Sequence, residues 1–182
     1  LSSTAKKRNR HERARVCNQK KPTGKSHRRG QPEGGVGKTT TTVTLAAALT
    51  RLGNRVLVVD LDPHACASVH LRYYPDELQY SVNDIFSNHP IEMEDLWDKI
   101  RQHHPIQEFD VVPANIRLAE LEVDLRNRRG KGAILQQALE YVRAEYDFIV
   151  LDCPPHVGIL LVNALVASDL LVVPIQTDFL AL

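Results

Sequence analysis

The sequence predicts an α/β domain with a mostly parallel sheet and helices on both faces. Three observations carry that expectation. From Gly34 onward, β-branched runs alternate with segments of helical period, the pattern of strand–helix–strand units. A glycine-rich turn opens straight into one of the helical segments. Two of the strand-like runs end in aspartate, at the rim where sheets of this kind collect ligands.

Taken in order, Thr39 to Leu52 offers Val43, Ala46, Ala47 and Leu49 for burial at helical spacing, and Gly53 stops it. Arg55–Asp60 is a short Val-rich run, the mark of a central parallel strand. Phe109–Pro113, Phe148–Asp152 and Leu170–Pro174 read the same way. Helices are expected at Glu92–His103, Asn115–Leu125, Ala133–Tyr146 and Val157–Ala167. The third has Ile134, Leu135, Ala138, Leu139 and Val142 along one side. No internal repeat is evident. The chain starts at Leu1 rather than Met and stops at Leu182 just after a strand-like run. A C-terminally truncated fragment is therefore expected.

The chemistry sits in Gly34-Gly35-Val36-Gly37-Lys38-Thr39-Thr40. Backbone N–H groups of such a loop wrap the phosphates of a nucleoside triphosphate, and the helix dipole points at the same anions. Glycines let the backbone approach closely. Lys38 would set an ammonium on the β/γ-phosphates, and the Thr39 hydroxyl would ligate Mg²⁺. The fold expected is thus P-loop NTPase-like. The plain pattern GxxxxGK[ST] fails, because Pro32 stands where its first glycine belongs. The stretch Lys20 to Glu33 also cannot be the buried strand from which such a loop leaves.

At 182 residues the chain fits one domain with a substantial core. It has no apolar run long enough to span a membrane and no secretory signal. Cys17, Cys66 and Cys153 lack metal-like spacing, so reduced thiols in a cytoplasmic setting are expected. The net charge of +1 hides a split. Residues 1–33 carry 11 Lys/Arg and 2 acids, a balance of +9, whereas 34–182 carry 12 and 20, a balance of −8. The acidic body argues against a folded part that grips nucleic acid by itself. The reading is a basic, disordered arm over 1–33, with a remnant first strand near 14–20, followed by an ATPase domain over 34–182. The arm's charge leaves phosphate backbones or an acidic membrane as candidate contacts.

Asp60 and Asp62 follow one strand-like run, and Asp152 ends another. Holding Mg²⁺ through its waters and orienting an attacking water needs such acids. His64 and Cys66 beside Asp62 are too few for a structural zinc site. His103-His104 is expected to end a helix before Pro105, where it complements the dipole. Cys153 reads as a small buried residue rather than a nucleophile.

Together, GGVGKTTTTVTLA, RVLVVDLDPHA, FDVVPAN, YDFIVLDCPP and VNALVASDLLVVPIQTDFLAL resemble the ParA/MinD family of deviant-Walker ATPases, over about Gly34 to Leu182. DPHA, NRRGKGAIL and IQTDFLAL look most like the ParA-like proteins that position chemotaxis arrays. The resemblance implies ATP and Mg²⁺ as cofactors, an ATP-dependent homodimer, and a partner protein that speeds slow hydrolysis. It also implies roles in placing chromosomes, plasmids or arrays, with non-specific DNA as a candidate partner. Gly34, Gly35, Val36, Gly37, Lys38, Thr39 and Thr40 would bind the nucleotide. Thr39, Asp60 and Asp152 would serve the metal, and Asp62 would position the water.

The family loop begins N-x-K-G-G, and its lysine reaches the partner's active site. Here Glu33 occupies that place, whereas Val16-Cys17-Asn18-Gln19-Lys20 looks like the strand end and the lysine. Setting Lys21–Glu33 aside would join Lys20 to Gly34. Two readings follow: an ATPase switch for the lineage, and a catalytically impaired fragment or binding module without turnover for the chain as written. A nitrogenase-iron-protein type shares the loop, but needs a cysteine where this chain has Val157-Gly158-Ile159-Leu160, so no iron–sulfur cluster is expected. A small-metabolite kinase would need an acceptor site that cannot be read.

Overall fold

The computed structural model describes residues 15–17, 36–87, 90–125 and 130–175. In chain order they form β1 (Arg15–Cys17), α1 (Lys38–Arg51), β2 (Val56–Asp60), α2 (Cys66–His70), α3 (Asn83–Phe86), α4 (Met93–Ile100) and β3 (Gln102–His103). Then come β4 (Asp110–Val112), α5 (Arg117–Asp124), α6 (Ile134–Leu139), β5 (Phe148–Asp152), α7 (Ile159–Ala167) and β6 (Leu170–Leu171). The sheet runs β3-β4-β2-β5-β1-β6, parallel throughout except where β3 pairs antiparallel at the edge.

The central strands β2 and β5 are buried along nearly their whole length. Alternate side chains of a strand face opposite sides, and the core divides accordingly. Val56, Val58 and Val150 pack with Val43 and Ala46 of α1. Leu57, Val59, Ile149 and Leu151 join the larger cluster with α4, α6 and α7, including Trp97, Leu135 and Leu160. Helices thus cover both faces, as the sequence predicts. Asp60 and Asp152 sit opposite each other in register. By the same alternation they share the α1 side with Val58 and Val150.

Two helical expectations need correction. Glu92–His103 does not stay helical: α4 ends at Ile100, and His103 lies in the edge strand β3 with its Nδ1 2.9 Å from Asp110. His104 is buried at 8% exposure, and its Nδ1 accepts from the amides of Ile106 and Gln107, so it shapes a turn rather than capping a helix. Ala133–Tyr146 is α-helical only to Leu139, after which Tyr141 and Val142 donate three residues back. At that change of ladder the Trp97 indole N–H donates to the Ala138 carbonyl at 3.0 Å. The last strand-like run, Leu170–Pro174, keeps only Leu170–Leu171 as strand. Among the described residues, no helix is long and apolar enough to cross a membrane.

Candidate nucleotide site at the carboxyl-terminal rim

Gly37 precedes α1 with φ +80°, a left-handed conformation that costs a residue with a Cβ. Nothing lies within 4 Å of the place a Cβ would take, so it is the dihedral that asks for glycine. The first turn of α1 has no side-chain cap and no acidic residue. Its leading N–H groups therefore have no intrahelical partner, and among the described residues no side chain caps them.

Below that helix end sit two buried carboxylates, Asp60 at 0% and Asp152 at 1% exposure. Thr39 Oγ1 donates to Asp152 Oδ2 at 2.9 Å and Thr42 Oγ1 to Oδ1 at 3.1 Å. Asp60 accepts from the amide of Asp62 at 3.0 Å, the amide of Ser68 at 2.9 Å and the Ser68 hydroxyl at 2.7 Å. Ser68 Oγ also accepts from the Ala114 amide at 2.9 Å, which ties α2 to the end of β4. Both carboxyls are pushed above the ordinary carboxylate value. Burial is the main cause for each; Asp152 adds to it at Asp60, and Asp62 adds to it at Asp152. The Lys38 charge pulls Asp152 the other way, so its ammonium acts on the same rim. The Cys66 thiol is also raised, by burial and then by the charges of Asp62, Asp60 and Asp152.

Asp62 lies in the loop beyond β2, 6% exposed, and its Oδ1 accepts from the His64 amide at 3.0 Å with His64 Nδ1 2.9 Å away. Thr40 is exposed on the first turn of α1, and Val36 is half-buried before it. Lys20, Gly34 and Gly35 lie outside the described residues. Thr42 and Ser68 were not singled out by the sequence reading; the unbroken run Thr39–Thr42 was the available signal for the first. Cys153 is buried, with its Sγ 3.7 Å from the Leu151 carbonyl.

This donor set fits a divalent cation bound together with phosphates. Two desolvated, mutually repelling carboxylates lie at the start of α1. Its Thr39 and Thr42 hydroxyls reach Asp152, and its first turn carries Lys38 and leading amides that are uncapped among the described residues. Among the described residues no group of three or more His, Cys, Asp or Glu could hold a metal by itself. Mg²⁺ does not require one, since it keeps waters and takes phosphate oxygens. Two open cavities of about 290 and 260 Å³ lie elsewhere, one beside Asn83 and Arg117, the other beside Arg55 and Tyr146. None of the rim residues lines either.

Fold and rim together define a P-loop-type α/β domain. A family model described as an AAA domain matches residues 30–182, and the chain belongs to the ParA/MinD family of ATPases. It is 41% identical over 150 residues to the sporulation initiation inhibitor protein Soj of Bacillus subtilis, a match covering 82% of this chain and 57% of that protein. It is 36% identical to the chromosome partitioning protein ParA of Myxococcus xanthus, covering 82% and 51%. The chain thus spans about half the length of the curated relatives it matches. The solved structure of cobyrinic acid a,c-diamide synthase from Mycobacterium smegmatis with bound ADP and magnesium is 34% identical. It superposes with a TM-score of 0.79, covering 93% of this chain and 62% of that one. A plasmid partition protein from Borrelia burgdorferi, 21% identical with a TM-score of 0.71, covers 92% and 68% and shares the fold.

Proposed function

We propose that this chain is the Mg-ATP-binding part of a ParA-like switch ATPase that positions chromosomes, plasmids or protein arrays in the cytoplasm. The observation that carries this reading is the Thr39–Asp152–Asp60 cluster under the uncapped start of α1, with Lys38 acting on it. The magnesium and ADP named for the 34%-identical structure support the same cofactors here.

Gly34 to Thr40 would hold the triphosphate by backbone amides, with Lys38 on its terminal phosphates. Thr39 would ligate Mg²⁺ directly, with Asp152 and Asp60 behind it taking its waters. Bound there, the ion neutralises phosphate charge and polarises the phosphoryl oxygens. Asp62, held by the His64 amide in the loop beyond β2, is the residue assigned to orient the attacking water. Ser68 fixes Asp60 and the end of β4, so it sets the spacing of the rim rather than touching substrate. Lys20 takes the family role of the lysine directed at the partner subunit. ATP-dependent pairing of two copies, a stimulating protein and contact with non-specific DNA belong to the same proposal. They make one nucleotide state support one assembly and the other state a different one.

Turnover and binding separate by variant. Lys38→Ala should abolish ATP binding, whereas Asp62→Ala should bind ATP normally and hydrolyse none. In whichever form hydrolyses ATP, the chain as written or one lacking Lys21–Glu33, equal hydrolysis after Asp62→Ala would overturn the assignment. Comparing the chain with one lacking Lys21–Glu33 decides between a switch that turns over and a module that only binds.

A further inference from the structure

Glu122 of α5 is a buried carboxylate, 9% exposed, that no role above uses. Its Oε2 lies 3.0 Å from Nε2 of His156, which sits half-exposed in the loop beyond Asp152. Its Oε1 is buried without a hydrogen-bond partner among the described residues. That oxygen packs onto Gly158 so closely that a Cβ there would fall 1.7 Å from it. Gly158 has φ −145°, ordinary extended backbone, so a Cβ there would meet no backbone strain but would have to displace the Glu122 carboxylate. Gly158 precedes α7, whose first turn likewise has no side-chain cap.

A buried carboxylate with one oxygen unsatisfied is costly to keep, more than pinning one helix would require. What it pins is the segment Cys153–Gly158, which begins at the residue following Asp152. We propose that Glu122 is a positioning residue for the nucleotide site. Through His156 and Gly158 it clamps the loop after β5 to α5. Asp152 is thereby held on Thr39 and Thr42, and α5 is tied to any shift of that loop. This rests on the nucleotide-site reading of the rim.

The test uses the full chain, with Mg-ADP affinity and amide hydrogen exchange measured side by side. Glu122→Gln keeps the shape and weakens the bond to His156. It should raise exchange in Cys153–Gly158 and lower Mg-ADP affinity about tenfold, with ADP affinity in the absence of Mg²⁺ changing little. Gly158→Ala should destabilise the fold by the clash with Glu122. Adding Glu122→Ala should restore the melting temperature but not the Mg-dependent affinity, a split that a merely structural residue would not give. Unchanged exchange and affinity in Glu122→Gln, or affinity returning together with stability in the double variant, would overturn the proposal. Absence of Mg-ADP binding by the unmodified chain would instead overturn the site reading. The exchange arm would still decide whether Glu122 holds the loop.

Discussion

The two rims of the sheet treat charge in opposite ways. At the amino-terminal rim Arg55 meets Asp147 at 3.2 Å with both side chains about half exposed. Beside them the Tyr146 hydroxyl donates to Asp110 at 2.6 Å, and Arg101 reaches both Tyr146 and Glu145. Burial and the bond to Asp110 raise the Tyr146 phenol well above its ordinary value, so it stays a donor. These acids have cationic or phenolic partners. At the carboxyl-terminal rim Asp60 and Asp152 are buried deeper and rest chiefly on hydroxyls and amides. Among the described residues, one rim pairs its acids with cations and a phenol, whereas the other sets two buried carboxylates on hydroxyls and amides, with only the Lys38 charge acting against them. The difference is what the proposed function turns on: a ligand carrying both signs, as a metal-bound triphosphate does, would complete the second rim and not the first.

The largest expected effect separates the rims by sign. Asp152→Asn should lower Mg-ATP affinity about 10–100-fold, the usual range for residues behind a metal's direct ligands. It should also leave the melting temperature of the metal-free protein unchanged or raised, because a costly buried charge is removed. Loss of stability without loss of affinity would break the comparison.

A pH series on metal-free protein comes next. Carboxyls raised above 3.8 in the folded state favour the protonated form there. Their contribution to stability is present at low pH and lost as pH rises through the raised values. Melting temperature of the unmodified chain should therefore gain from mild acidification, and Asp152→Asn should gain less.

Gly37→Ala should cost about 1–2 kcal/mol through the left-handed φ, read by chemical denaturation, and weaken nucleotide binding with it. Smallest of all, Asp147→Ala should cost about 0.2–1 kcal/mol, as exposed ion pairs do, and leave ATP affinity untouched. A large affinity loss there would erase the distinction between the rims.

What could be read from sequence was what neighbouring residues decide. The Val-rich runs ending in Asp60 and Asp152 became β2 and β5, because a buried parallel strand needs continuous apolar residues whatever its partners. The GVGKT step became the start of α1, since a glycine with positive φ opening a helix is a local property. Contacts that close over distance were hidden. Thr42 meets Asp152 across 110 positions, and Trp97 meets Ala138 across 41. His103 left its expected helix because strand pairing with Asp110 was invisible in a helical period. Glu122 carries no signal in the sequence beyond its place in the helix expected at Asn115–Leu125, and only the fold brings it against His156 and Gly158.

The central claim is that the carboxyl-terminal rim takes a triphosphate together with a divalent cation. Calorimetric titration of ATP into the unmodified chain, with Mg²⁺ and with a chelator, tests it most directly. Affinity should tighten on the order of tenfold or more with Mg²⁺, since the ion offsets the triphosphate's charge beside the buried carboxylates. Equal affinity in both buffers, or no heat of binding in either, would contradict it.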